Sequence, residues 1–145
     1  MTFENVGPRL FPYLNDYAGY HRTPGNQLMH AIGLPMIVIT TLGLFSSIEI
    51  LRIDLGVALW LLGSLAYLYL DWKIALPFSI CALGFYMMGR ALPLGWNLGL
   101  WTLGWILQFI GHYKYEKKSP AFYKNITHLL IGPLWLFVKL VRYGR

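Results

Sequence analysis

Charge is scarce in this chain: Asp, Glu, Lys and Arg make up 12% of its 145 residues, against about a quarter in soluble domains. A water-exposed globule needs more than that to cover its surface. Acids are scarcer still, six against twelve Lys and Arg. Cysteine occurs once, at Cys81 inside an apolar stretch, so no disulfide can form within the chain and redox usage does not assign a compartment. The opening "MTFENVGPRLFPYLNDY" lacks the basic segment followed by an apolar one that marks a cleavable signal, so insertion is expected to use internal segments. Polar helix faces are missing too. "LGVALWLLGSLAYLYL" is apolar all round, which argues against the plainer alternative of a soluble core bundle, whose helices show a polar face.

Hydrophobic residues make up 57% of the chain and aromatics 17%. Four nearly uncharged stretches cover residues 28–48, 55–70, 74–89 and 94–111. As helices of roughly 16 to 21 residues they span about 24 to 32 Å, close to the hydrocarbon thickness of a bilayer. The links "EILRID", "DWK" and "GRALP" are short, which favours antiparallel neighbours. The expected fold is therefore an all-α integral membrane protein, one domain over 1–145. It has about four transmembrane helices in an up-and-down bundle and an N-terminal interfacial helix ending near residues 17–20. "NITHLLIGPLWLFVKLVRYGR" holds an apolar run of about ten residues, too short to cross, and reads as a C-terminal interfacial or re-entrant helix.

Basic residues set the orientation. Lys114, Lys117, Lys118, Lys124, Lys139, Arg142 and Arg145 follow the fourth stretch against one acid, Glu116, so the C-terminus is expected in the cytoplasm. Four crossings put the N-terminus there as well, with Arg9 and Arg22 in agreement and Arg52 and Arg90 as single charges opposite. The net charge of +6 suits anionic headgroups and gives no reason to invoke nucleic acid.

All four histidines then fall at one membrane face: His21 and His30 at the start of the first span, His112 and His128 after the fourth. Thr23 is placed to cap a helix that has Pro24 in its first turn. Asn26 and His30 share a face at i, i+4, and the same spacing joins Gln108, His112 and Glu116 into one stripe. A ligating imidazole normally gives its other N–H to an acceptor, so these polar neighbours suit a metal site, against the plainer reading of interfacial headgroup contacts. Glu116 reads as ligand, base, orienting partner or surface mate of Lys117, with the orienting part in a catalytic site preferred. Asp16 and Asp71 read as interfacial polar residues.

"HRTPGNQLMHAIGLP" together with "QFIGHYKYEKKSPAF…HLLIGP" resembles the 2-hydroxy fatty acid dioxygenase family, small polytopic membrane proteins of fatty acid α-oxidation. The resemblance covers both ends of the chain and the number of spans between them. It implies His21, His30, His112 and His128 as metal ligands, with Asn26, Gln108 and Glu116 as accompanying polar positions. It also implies an Fe(II)-dependent enzyme that uses O2 to shorten a 2-hydroxy fatty acid by one carbon. Imidazole suits Fe(II), and an all-histidine set leaves its charge for a chelating 2-hydroxy carboxylate to neutralise. Lys114, Lys117 or Lys118 could steer that carboxylate, against the plainer reading of lysines facing anionic lipid. Two other classes stay open: a non-enzymatic lipid-binding or assembly module, and a zinc-dependent hydrolase with Glu116 activating water. The compartment is the bacterial inner membrane, or the endoplasmic reticulum in a eukaryote. Chain length of the substrate and oligomeric state are not specified by the sequence.

Overall fold

The computed structural model describes residue 3 and residues 5–141, so Arg142 and Arg145 of the basic group lie outside the described residues. Six α-helices follow in order: α1 Phe11–Gly19, α2 Pro24–Ser46, α3 Leu55–Leu70, α4 Trp72–Ala91, α5 Leu94–Ile110 and α6 Thr127–Leu140. A π-helical segment, Gly111–Glu116, prolongs α5, and a 3-10 turn, Ala121–Tyr123, precedes α6. The all-helical class and both flanking short helices match expectation. The link "EILRID" is more than a link: Glu49–Ile50 (β1) pairs antiparallel with Ile53–Asp54 (β2). Leu51 and Arg52, at φ 52° and 65°, make the tight turn whose hand suits a two-residue hairpin.

Short polar residues start the helices. Thr23 accepts the Asn26 amide with Pro24 in the first turn of α2, as the sequence predicts. Asp54 accepts the Gly56 and Val57 amides at the start of α3, and Asp71 accepts the Lys73 amide at the start of α4. Asp71 also receives the Gly7 amide at 2.7 Å, tying the N-terminal segment to the α3–α4 corner. Asp71 ends α3 and begins α4 at a single residue, while Asp54, at the end of the hairpin, sets where α3 starts.

Helix α2 is the axis of the bundle, and glycines let its neighbours approach. A Cβ on Gly33 would lie 2.9 Å from the Gly104 carbonyl of α5, and one on Gly43 would lie 2.4 Å from the Gly89 carbonyl of α4. Small residues at crossing points are how apolar helices associate when both partners are as greasy as lipid. The order of these contacts runs α4 parallel and α5 antiparallel to α2. Helices α1 and α6 close one end. Leu10, Leu14 and Tyr17 meet Ile131, Leu134 and Trp135 in a cluster that also takes Ile74 and Phe78 from α4.

Two helices, α2 and α4, are long and apolar enough to cross a bilayer; α3 and α6 are apolar but shorter. Helix α5 has 17 residues before it turns π-helical. Length alone thus supports two crossings where the sequence suggests four: α3 keeps its expected 16 residues and α5 has 17, both shorter than α2 and α4. The outward faces of α3, α4 and α5 nonetheless expose large apolar side chains such as Leu62, Ile80, Met87, Leu98 and Ile106, more apolar surface than a water-facing monomer presents.

Candidate functional site

Three histidines from three different segments meet behind the α1–α2 corner. His21 lies in that corner, where its amide bonds the Ala18 carbonyl; His30 is in the second turn of α2, and His112 is in the π-helical segment. None is more than 3% exposed. Their rings stand edge-to-face, with centroids 4.4 Å apart for His21–His30 and 4.9 Å for each of the other two pairs. One ring nitrogen from each lies within 4.8 Å of the others.

Their hydrogen bonds fix the tautomers. His21 Nδ1 is 2.7 Å from the Tyr17 carbonyl and His30 Nδ1 is 2.9 Å from the Asn26 carbonyl. A carbonyl only accepts, so in each neutral ring the proton sits on Nδ1 and Nε2 presents a lone pair. Those two Nε2 atoms face each other at 3.0 Å. Two lone pairs at that distance repel unless a positive charge lies between or beside them. Protonation is a poor source of it. Burial, outweighing the bond to Tyr17, pushes His21 down to about 4. A divalent cation fits instead, and His112 adds a third imidazole whose buried Nδ1 has no protein partner. Backbone carbonyls that take the other N–H of each ligating imidazole and so orient it are the usual arrangement around such a metal. Tyr17 further braces His21, its ring stacked at 4.0 Å and 7°.

The π-helical segment is what delivers His112. Its wider turn brings it against α2, where a Cβ on Gly111 would lie 2.5 Å from Asn26 Oδ1 and 3.3 Å from His30 Nδ1. Isolated π-helical turns commonly mark functional positions. The same widening breaks the i, i+4 stripe read from the sequence. Gln108 and His112 face the interior, while Glu116 swings over the start of α2, and Lys117 ends the segment in a left-handed conformation at φ 55°.

At the start of α2 the Glu116 carboxylate collects donors. Arg22 N at 3.2 Å, Thr23 N at 3.0 Å, Thr23 Oγ1 at 2.9 Å and Asn26 Nδ2 at 3.1 Å all point to it. Burial raises its affinity for a proton, but these bonds outweigh that and hold Glu116 below the usual carboxylate range. Asn26 Nδ2 also donates to the Tyr20 carbonyl. The Glu116–Asn26 pair therefore fastens the segment that carries His21 to the helix that carries His30.

His128, in the first turn of α6, stands beside the trio and is not one of the three converging groups. Its Nε2 is 2.8 Å from Asp16 Oδ2, and its ring lies between Tyr17 and Tyr20 at 5.5 and 5.4 Å. Its buried Nδ1 has no partner. Gln108 is buried over Gly33 with an unpartnered Nε2. Lys114 is exposed, over the Tyr115 ring at 5.6 Å. Tyr17 and Asp16 were not singled out as site residues by the sequence; the i, i+4 spacing of Tyr17 and His21 was the available signal.

The trio heads a cavity of about 310 Å³. His21, His30, His112 and His128 form its polar end together with Gln108, and its walls are mostly apolar side chains of α2, α3, α4, α5, α6 and the 3-10 turn before α6.

A family model described as 2-hydroxy-palmitic acid dioxygenase Mpo1-like matches residues 10–143. The chain is similar to 2-hydroxy-palmitic acid dioxygenase MPO1 of Saccharomyces cerevisiae, at 32% identity over 134 residues, covering 88% of this chain and 77% of the relative. No solved structure matches the chain.

Proposed function

Because the chain belongs to the 2-hydroxy-palmitic acid dioxygenase Mpo1-like family, we propose that it is a membrane enzyme that oxidises 2-hydroxy fatty acids with O2, using Fe(II) held by His21, His30 and His112. The observation that carries this is the pair of Nε2 lone pairs at 3.0 Å, with a third imidazole beside them, at the head of an apolar cavity. Bound iron would supply the redox centre at which O2 and the 2-hydroxy carboxylate meet. The overall change balances as R–CHOH–COOH + O2 giving R–COOH + CO2 + H2O.

The chain's own residues do the rest. Tyr17 and Asn26 carbonyls hold the His21 and His30 protons on Nδ1, which keeps both Nε2 atoms turned to the centre. Glu116 acts as a positioning residue, since its oxygens are taken up by the 22–26 segment. That engagement disfavours a hydrolase in which Glu116 activates water. His128 is braced by Asp16 at the edge of the cavity, where its Nδ1 can meet the substrate's polar head. The apolar walls take the acyl tail and keep water from the histidines. Lys114 lies outside the cavity lining and is left to the anionic surface.

For the membrane, we infer that α3 and α5 also cross. Their exposed apolar faces and the prolongation of α5 to residue 116 support this, since only lipid covers such faces without a partner. Both termini and the histidine end would then face the cytoplasm, where Lys114, Lys117, Lys118 and Lys124 follow the last crossing.

The test is metal analysis of protein purified without oxygen, then O2 uptake in nanodiscs with 2-hydroxy, 3-hydroxy and unsubstituted acids of equal length. Iron, O2 consumption and a product one carbon shorter from the 2-hydroxy acid alone are expected. Zinc without O2 uptake, or equal turnover of all three acids, would overturn the reading.

A further inference from the structure

The cavity has a length as well as a head. Along α2 it is lined by His30, Leu34, Ile37, Val38, Thr41 and Leu42, which recur at i, i+4, i+7, i+8, i+11 and i+12, one continuous stripe of a helix. From His30 to Leu42 that stripe rises about 18 Å at 1.5 Å per residue.

Two indole hydrogen bonds frame its far end. Trp101 Nε1 donates to Thr41 Oγ1 at 3.1 Å, drawing α5 onto α2, and Trp60 Nε1 donates to the Ser79 carbonyl at 3.0 Å, drawing α3 onto α4. Trp60, Thr41 and Leu42 all line the cavity there. One turn of α3 nearer the histidines lies Gly63, also in the lining. A Cβ on Gly63 would meet nothing within 4 Å, unlike the glycines at the helix crossings. Helix packing does not require a glycine at this position, and glycine costs a helix about 1 kcal/mol relative to alanine. What its missing side chain provides is open space in the cavity.

We propose that Trp60, with Thr41 and Leu42, is the end wall that measures the acyl chain, and that Gly63 keeps the slot open on the histidine side of that wall. This rests on the function proposed above. A carbon chain with bonds of about 1.5 Å near the tetrahedral angle advances about 1.25 Å per carbon. The slot of about 18 Å therefore holds about fourteen carbons. The two carbons of the hydroxy-acid head stay at the histidines. The chain selected is about sixteen carbons long.

The experiment compares 2-hydroxy acids of graded length, about ten to about twenty-two carbons, as substrates for the iron-loaded full chain in detergent. Each acid is also tested as a competitor of a fluorescent fatty acid bound to the protein. The wild type is expected to peak near sixteen carbons and to fall about tenfold or more beyond the wall, since an apolar pocket discriminates by methylene where a side chain blocks the tail. Gly63→Leu puts a side chain into open space and replaces a poor helix former with a good one, so the protein should fold. It should move the optimum about four carbons shorter, one helical turn of slot. Trp60→Ala should admit the longer acids. Turnover with a flat length profile, or a profile that Gly63→Leu leaves in place, overturns the end wall while sparing the dioxygenase reading. Absence of turnover with every acid counts against the dioxygenase reading instead, and the competition series then decides the wall: length-independent displacement refutes it, a cut-off that Gly63→Leu shortens supports it.

Discussion

Replacing Glu116 separates positioning from proton transfer. Its carboxylate accepts two backbone amides, a hydroxyl and a side-chain amide from residues 22–26. In Glu116→Ala the Thr23 amide and hydroxyl lose their partner, Asn26 keeps only the Tyr20 carbonyl, and Arg22 turns to water. Loss of an N-terminal capping acceptor costs about 1 kcal/mol and loss of a negative charge at a helix N-terminus about 0.3–1 kcal/mol, so about 2 kcal/mol is expected. That is about 2–4 °C of melting temperature per kcal/mol for a chain of this size. Glu116→Gln keeps one acceptor oxygen and should cost about half as much. Because the segment carries His21, metal affinity should fall by about 10–100-fold in the alanine variant and less in the glutamine one. Thermal melts and iron retention against a graded chelator read both quantities, with turnover measured at saturating iron. If Glu116→Gln keeps its melting temperature and its iron yet loses turnover by more than about 100-fold, Glu116 moves a proton and the positioning argument is wrong.

Other outcomes are equally specific. His30→Ala and His112→Ala should lose iron outright, whereas His128→Ala should keep it and lose turnover; iron loss in His128→Ala equal to that of His30→Ala would make His128 a fourth ligand. Asp54 titrates below the usual range because bonds from Ser46 and Tyr86 and the Val57 and Gly56 amides outweigh the burial that raises it. Its folded affinity for protons is lower than its unfolded one, so its stabilisation is present above the ordinary carboxylate range and lost as pH falls through it. Asp54→Asn should flatten that part of the stability–pH curve, and an unchanged curve would remove Asp54 from the account. In a Cys81→Ser background, Lys118→Cys should label from the cytoplasmic side and Arg52→Cys from the other; labelling of both from one side would refute an odd number of crossings between them.

Fold class was legible because it depends on composition and on strong local signals. Thr23 and Pro24 start α2 as their chemistry requires, and the apolar stretches become helices with nearly the expected bounds. The number of crossings was less legible, since α3 and α5, at 16 and 17 residues, are close to the minimum length of a span, where hydropathy does not separate a crossing helix from a buried one. At the site, His21, His30 and His112 come together from motifs at opposite ends of the chain. The fate of Glu116 was hidden: extrapolating an α-helical period through Gly111 puts it beside His112, whereas the π-helical turn that begins at Gly111 carries it over the start of α2. The Asp16–His128 contact joins residues 112 apart in sequence, which no local pattern encodes.

The acyl slot was invisible for a different reason. A soluble helix announces its inner face by polar residues on the outer one, but α2 and α3 are apolar on both, so lipid-facing and cavity-facing side chains read alike. What distinguishes them is volume. Gly63 is an empty position in a wall, Gly33 and Gly43 are filled by a neighbouring backbone, and the three look the same in the sequence. Metal site and slot are therefore encoded by different means. The first depends on chemistry that few residue types can supply, so the motifs betray it. The second depends on which apolar side chain is missing, and becomes readable only when the helices are set side by side. Substitutions along Leu34, Ile37 and Val38 that keep the stripe apolar should alter the fit of the tail while leaving the histidines in place.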